Sequence, residues 1–447
     1  MRLSRSRRKF LKLAGAIAST TVGASLLKGC ANTPSSSSSA QPAQASSRPT
    51  VPEVTIAQGT VAYTNHAWTM LPQKLGYLAD VGIKPKTETP RVLLDQQVVP
   101  LIQKGEVDFN TLFFGIVAQS LDKVTNIRPV LVYSFWQGNT ILAAPDSPYK
   151  TVDDFIAEGM PWDKAAAATM AQLKDKQLTT QPNPSQVPWL DMAFGFANMK
   201  RQEAKLVAVE DPKAVQLGLA KQVDFVAPGG AVQIYQLQYQ HNFRSIMSTR
   251  QMMKHMKVET NSPVNNVLNY DTVVCTEEYL QSNRDTVLRY VSALYRTMET
   301  MFGSEQEQTF VKYAPFINAN TGAEMNPESI KFIFTELDPF FRWQDQAKVY
   351  TDKSFRLQYE NLYGFHIENY IKNGTLPKQD YDLGKLFAGK QIWQELADYQ
   401  TKSDQFIAKA KAETLSAERK ELFDTGQRYY DMMDYLDAFR FMEAAFA

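Results

Sequence analysis

The side chains able to do chemistry are few and scattered. Four histidines, His66, His241, His255 and His366, lack metal-ligand spacing, and there is neither an HExxH helix nor a cysteine pair. No GxGxxG turn, Walker loop or GxSxG elbow occurs either. Enzyme chemistry therefore has no positive support, and no metal or cofactor is expected. What remains is binding chemistry at strand ends, where open α/β sheets hold ligands. Tyr63, Asn65 and His66 follow a first predicted strand, with Trp68 close behind. Asn65 serves equally as a helix cap, and His66 fits a hydrogen-bond donor better than an acid or base. Phe113, Phe114 and Gly115 follow a later strand and combine an apolar wall with a glycine that lets backbone N–H groups point inward. Gly229 and Gly230 can do the same elsewhere. Trp136 and Asn139 lie between two strands, where tryptophan is as readily core or hinge packing. Helix N-termini favour anions by roughly 0.3–1 kcal/mol each. Two facing glycine turns would thus prefer a carboxylate, sulfonate or other oxyanion without any catalytic group.

These positions need a scaffold, and residues 95–118, DQQVVPLIQKGEVDFNTLFFGIVA, outline it. Val98, Val99, Leu101 and Ile102 predict a helix ending near Gly105, followed by a strand over 107–109, a loop through 113–115 and a second helical start. A similar unit recurs about 115 residues later in AVQLGLAKQVDFVAPGGAVQIYQL, with a helix from Ala214, a strand over 223–226 and a helix after the two glycines. Two such units suggest two α/β lobes with a ligand between them. Residues 54–62 predict the first strand, 68–78 a helix and 83–87 a second strand, a βαβ opening. Strands over 127–135 and 140–144 bracket the crossing between lobes at 136–139. Further strands are expected at 205–209, 243–249 and within 265–276. A long amphipathic helix over 277–301 returns the chain to the first lobe. Helices then fill 328–337, 354–372, 393–412 and 417–446, whose aromatic stripe reads as core.

The chain has 447 residues, enough for two or three domains, and 44% apolar residues, ordinary for a folded protein. Residues 1–29 carry seven basic side chains and no acidic one, so the remainder has an acidic excess of about six. That balance gives no reason to expect nucleic acid as a partner. The segment SRRKFLK, residues 6–12, resembles a twin-arginine export signal, and Leu27-Lys28-Gly29-Cys30 resembles a lipoprotein cleavage box with Lys28 at an atypical position. A Ser/Pro-rich tether follows, and acyl chains on Cys30 would anchor it. Cys275, the one other cysteine, reads as a small buried apolar residue.

With this leader, LGYLADVGIKPKTET, QKGEVDF and AKQVDFVAPGG, the chain resembles the periplasmic solute-binding proteins of ABC importers. It is most similar to the nitrate/sulfonate/taurine/bicarbonate and thiamine-pyrimidine binding group. Gly76, Tyr77, Leu78 and Val81-Gly82-Ile83 match that group's first helix-to-strand segment, while Gly105, Val107, Asp108 and Gly115 match its next element. Gln222 replaces a glycine in the second-lobe counterpart, and Arg284 a proline after Asn283. The resemblance implies a bilobal α/β periplasmic-binding-protein fold with a central cleft. It divides the chain into a signal peptide (1–29), a tether (30–52), lobe 1 (53–140), lobe 2 (141–270), a return to lobe 1 (271–340) and a helical C-terminal extension (341–447). That extension could wrap the lobes, enlarge the first or serve as a docking surface. The implied role is capture of a small anionic or heteroaromatic organic solute for an ABC permease, after export by the twin-arginine translocase and lipid anchoring at Cys30 in the cell envelope. The implied ligand contacts are Tyr63, Asn65, His66, Trp68, Phe113, Phe114, Gly115, Trp136, Asn139, Gly229 and Gly230. The competing expectations are an exported enzyme and a non-transporting sensor or assembly protein on the same fold.

Overall fold

Residues 48–61, 63–181, 186–256 and 262–447 are described by a computed structural model; the leader, Cys30 and most of the tether lie outside them. The first apolar strand run is cut in two. β1 (Val54–Ile56) and β2 (Gly59–Val61) part at Ala57, because the Asp108 carboxylate accepts the Ala57 N–H at 2.7 Å and the Asp108 N–H donates back to the Ala57 carbonyl at 2.8 Å. β1 pairs in parallel with β3 (Ile83–Pro85), and β2 with β4 (Arg91–Leu93). The helix Asp95–Gln103 ends at Gly105, whose φ of 69° suits glycine. β5 (Asn110–Phe113) follows, three residues later than the pattern suggests. On β5 lies antiparallel β12 (Asn269–Thr276), and β12 pairs on its other edge with β6 (Ile127–Trp136).

The second sheet is continuous. β11 (Arg244–Ser248), β7 (Thr140–Ala143), β10 (Phe225–Ala227), β8 (Gln177–Thr180) and β9 (Lys205–Ala208) stand side by side in that order. β8, β9 and β10 run parallel, whereas β7 is antiparallel to β10 and β11. Its core includes Ile141, Leu178, Trp189, Phe194, Phe225 and Ile246. Only residues 137–139 join β6 to β7, so the first crossing between the sheets is three residues long.

Several expected helices are broken at identifiable residues. The run over 68–78 becomes short pieces separated by Gly76, at φ 81°. The long helix divides at Asn283 into Glu277–Ser282 and Arg284–Met301. The last one divides at Met433, at φ 63°, into Ala417–Asp431 and Tyr435–Phe446. The helix expected from 354 starts at Tyr359, where the Gln358 side chain accepts two backbone N–H groups.

The C-terminal helices enlarge the first lobe. β6 would otherwise present an open edge. The Phe341 N–H donates to the Tyr133 carbonyl at 2.6 Å, Gln346 Nε2 to the Val132 carbonyl at 3.0 Å, and the Val132 N–H to the Tyr350 hydroxyl at 3.2 Å. The Tyr133 carbonyl and both backbone groups of Val132 thus acquire partners where the edge is buried. Cys275 is buried in β12, where burial pushes its thiol up to about 12, as suits an inert packing residue.

Candidate functional site

The site is a cleft pocket enclosing about 630 Å³, its open mouth included. The first lobe supplies Tyr63, Asn65, His66, Asp95, Phe113, Ile116 and Asn269. Trp136 comes from the end of β6 and Asn139 from the crossing, Gln181, Gln186 and Gly229 from the second lobe, and Asn266 and Val267 from the returning chain. A wider outer space continues from it, sharing Tyr63, Asp95, Ile116 and Gln181.

Local structure explains the aim of the first-lobe groups. After β2 the chain turns at Tyr63, in extended conformation, into the short helix Thr64–Ala67. Tyr63, not Asn65, occupies the capping position, so the capping role for Asn65 does not hold. Its side-chain amide instead donates to Asp271 Oδ2 at 2.8 Å. His66 Nε2 lies 3.0 Å from Asp271 Oδ1. Ser134 Oγ donates toward Asp271 Oδ2 at 3.3 Å and Asp338 Oδ2 at 3.0 Å. Both aspartates are fully buried. Burial, with Asp271 alongside, pushes the Asp338 carboxyl well above the carboxylate range. Burial, then the nearby Asp95 carboxylate, raises the Tyr63 hydroxyl, which donates to Asp95 at 3.3 Å. Tyr63 therefore stays a neutral donor at physiological pH.

Trp136 and Asn139 fold onto one another: the indole Nε1 donates to Asn139 Oδ1 at 3.0 Å, and the ring lies so close over Gly138 that a Cβ there would sit 2.4 Å from it. The Asn139 acceptor is thereby used and its amide hydrogens are left for other partners. On the opposite wall, the Gly229 and Gly230 N–H groups both donate to Asp211, at 3.1 and 2.6 Å. The anion-binding role expected of these glycines does not survive this geometry, because the chain's own carboxylate fills it. Burial raises the Asp211 carboxyl while these two N–H bonds oppose the shift.

Seven of the eleven sequence-predicted contacts converge on the pocket: Tyr63, Asn65, His66, Phe113, Trp136, Asn139 and Gly229. Four do not line it. Trp68 is fully buried, edge-on to Tyr133 and Phe340. Phe114 is fully buried against Tyr363 and Phe387 of the C-terminal helices. Gly115 allows close approach of Asn269, whose Oδ1 would lie 2.6 Å from an added Cβ. Gly230 borders the outer space only.

Sequence reasoning missed Asp95, Ile116, Gln181, Gln186, Asn266, Val267 and Asn269, and the buried anchor Asp271. Asp271 left one signal: a carboxylate inside the otherwise apolar strand run NYDTVVC. Among the described residues no group of acidic, histidine or cysteine side chains is placed to hold a metal ion.

Among solved structures, the chain is similar to the periplasmic nitrate-binding protein NrtA from Synechocystis PCC 6803, with a TM-score of 0.50 at 13% identity over 77% of this chain and 89% of that one. The fold is that of the periplasmic binding proteins. The chain also aligns with the aliphatic sulphonate binding protein SsuA from Escherichia coli (TM-score 0.49, 13% identity, 74% and 91% covered) and the desulfurization enzyme DSZB (TM-score 0.49, 11% identity, 77% and 99% covered). No family model and no curated protein matches the sequence. In a binding-protein fold the pocket just described occupies the inter-lobe cleft, and each wall of it comes from a different sheet.

Proposed function

We propose that this chain is the solute-capturing subunit of an ABC importer, taking a small organic compound into the inter-lobe cleft and delivering it to a membrane permease. The supporting observation is a polar, aromatic-walled pocket whose lining is divided between two sheets joined by a three-residue crossing. Such a pocket closes by movement of one lobe against the other, and a solute that touches both walls favours the closed state. Tyr63, Asn65, His66, Phe113, Trp136, Asn139 and Gly229 are the proposed contacts. Phe113 and Trp136 suit an organic solute with an apolar or aromatic part better than a small inorganic ion. The twin-arginine-like and lipobox-like segments support export and anchoring through Cys30 at the cell envelope.

The test is mass spectrometry of small molecules released on denaturing gently purified protein, followed by titration of the identified compound. One solute per chain is expected, released chemically unchanged after prolonged incubation. Asn65→Ala should weaken its binding at least tenfold. Recovery of a transformed product would favour an exported enzyme instead. Absence of any released or binding solute would favour a sensor or assembly role.

A further inference from the structure

The hydrogen-bonding sense of the cleft narrows the solute class, an inference that rests on the capture reading above. Six carboxamides line the inner pocket, and four of them spend their oxygens on donors of the chain itself. Asn139 Oδ1 accepts from the Trp136 indole, which can only donate. Gln186 Oε1 accepts from the Gln181 backbone N–H at 3.3 Å. Asn269 Oδ1 accepts from the Tyr363 hydroxyl at 3.3 Å, whose oxygen is already the acceptor for the Tyr270 N–H at 3.0 Å. Asn266 Oδ1 accepts from Asn369 Nδ2 at 2.8 Å, and a second bond from that nitrogen to the Phe365 carbonyl fixes which way round the Asn369 amide lies.

Each partner thus sets the orientation of a lining amide: the oxygen is held by the chain and the nitrogen keeps its hydrogens for another acceptor. Among the described residues no group accepts from these four nitrogens, although Asn139, Gln186 and Asn269 are all more than nine-tenths buried. The other two amides differ, because Asn65 donates to Asp271 and Gln181 to Asp211. The four free donors stand on the crossing, the second lobe and the returning chain, so one solute meets them from both sides of the cleft. All four are neutral, and no lysine or arginine lines the inner pocket or the outer space among the described residues. The Gly229 and Gly230 N–H groups are already taken by Asp211. A carboxylate or sulfonate would lose its hydration here without a counter-charge, whereas an uncharged carbonyl oxygen gives up far less.

We propose that the cleft selects an uncharged organic compound that carries several carbonyl-type oxygens on an apolar or aromatic body. Its oxygens accept from the amides of Asn139, Gln186, Asn266 and Asn269, and its body packs against Phe113 and Trp136.

The purified chain, unfolded in guanidinium and refolded to release bound solute, would be offered three pools of a small-molecule extract from the cells that make it and their medium, sorted by ion exchange into neutral compounds, anions and cations. The neutral pool is expected to give the largest rise in unfolding temperature, at least about 2 °C, by mass action on the native state. The active compound, isolated from that pool, should bind at least about tenfold more weakly to Asn139→Asp and to Asn269→Asp. Each variant keeps the oxygen that Trp136 or Tyr363 needs and loses only the donor. Asn373→Asp, an exposed change outside both spaces, adds the same charge and should bind as the parent does. A larger rise with the anionic or cationic pool would overturn the uncharged assignment and leave solute capture standing. No rise with any pool would remove solute capture itself. Parental affinity in either cleft variant would overturn the donor role given to that amide, and the two positions lie on different elements, so a folding failure at one leaves the other to decide.

Discussion

Two pairs of buried aspartates, in different parts of the first lobe, are handled in opposite ways. In the C-terminal helices, Asp434 and Asp437 lie beside Arg289, whose guanidinium meets Asp437 in a two-pronged contact at 2.6 and 2.9 Å, with Arg440 at 3.7 Å. In the cleft, Asp271 and Asp338 share Ser134, and the basic partner is the His66 imidazole. Burial first, and the neighbouring aspartate second, pushes both Asp434 and Asp338 well above the carboxylate range. The permanent arginine charge makes the first cluster a clamp between the helices Arg284–Met301 and Tyr435–Phe446. The second cluster holds the Asn65 amide and lies beside the His66 ring, two residues that line the pocket. Buried acids thus tie two helices together where a guanidinium balances them, and support pocket-lining side chains where an imidazole lies beside them.

The clamp should break first. Arg289→Met strips the two-pronged partner from buried Asp437 and leaves only Arg440, at 3.7 Å, which costs about 3–5 kcal/mol for buried pairs broken in this way. Denaturant unfolding should show that loss, whereas solute affinity of the folded protein should be unchanged. Adding Asp437→Leu should recover part of the loss, because the stranded charge goes with it. A loss below about 1 kcal/mol for Arg289→Met would remove the contrast with the cleft.

The next effect separates the C-terminal helices from the cleft by pH. His366, on the helix Tyr359–Lys372, is buried with Nε2 2.8 Å from the Leu268 carbonyl, and burial pulls its imidazole down to about 4. The unfolded chain takes up this proton near pH 6.5 while the folded one refuses it. Stability is therefore full above about 6.5 and declines as pH falls toward 4, by about 3 kcal/mol. Urea midpoints at pH 7, 5.5 and 4.5 should show the decline in the parent and a shallower one in His366→Gln, which keeps a donor for Leu268. Equal slopes in the two proteins would assign the acid sensitivity elsewhere.

These two anchors show what a sequence can and cannot reveal. The strand-helix alternation and both glycine-bearing units were legible, since periodicity two or 3.6 and positive-φ glycines such as Gly105 are local features. The aim of adjacent aromatics was not. Phe113 and Phe114 look equivalent in FNTLFFG, but Phe113 ends β5 and meets the cleft, while Phe114 turns into the rings of Tyr363 and Phe387, far along the chain. Placing the strand three residues early put both in one loop and hid the difference. Trp68 follows His66 by two helical residues and so faces away from it. Gln181, Asn266 and Asn269 enter the pocket through tertiary placement alone, with no pattern around them to mark it. Pro100 and the break at Met433 are equally invisible to a count of apolar spacing.

A cleft substitution should show the reverse of the clamp. Asp271→Asn removes the acceptor that orients His66 and replaces an Asn65–carboxylate bond by an amide contact. It also relieves the repulsion on Asp338, so little stability should be lost. Affinity for the bound solute should fall roughly 10- to 100-fold, or about 1.4–2.7 kcal/mol. Calorimetric titration beside a denaturation curve gives both numbers. A stability loss as large as that of Arg289→Met, with affinity intact, would make the cleft cluster a second clamp and erase the distinction.

The smallest effect belongs to an ion pair that joins the lobes at the surface. Arg250, on the helix Thr249–His255 after β11, meets Glu336 at 2.5 Å, with 42% and 44% of their side chains exposed. Beside it, Gln137 on the crossing donates its side-chain amide to the Glu336 carbonyl at 2.9 Å and its backbone N–H to the Leu337 carbonyl at 3.0 Å. Solvent and salt screen such a pair, so Arg250→Ala should cost under about 1 kcal/mol of stability, and less in high salt. The two backbone-directed bonds from Gln137 remain, so the crossing keeps its geometry and solute affinity should stay within about threefold, or ~0.7 kcal/mol. A larger fall in affinity, restored by Arg250→Lys, would mean that the exposed pair biases lobe closure, and that charge at the hinge matters as much as the buried aspartates do.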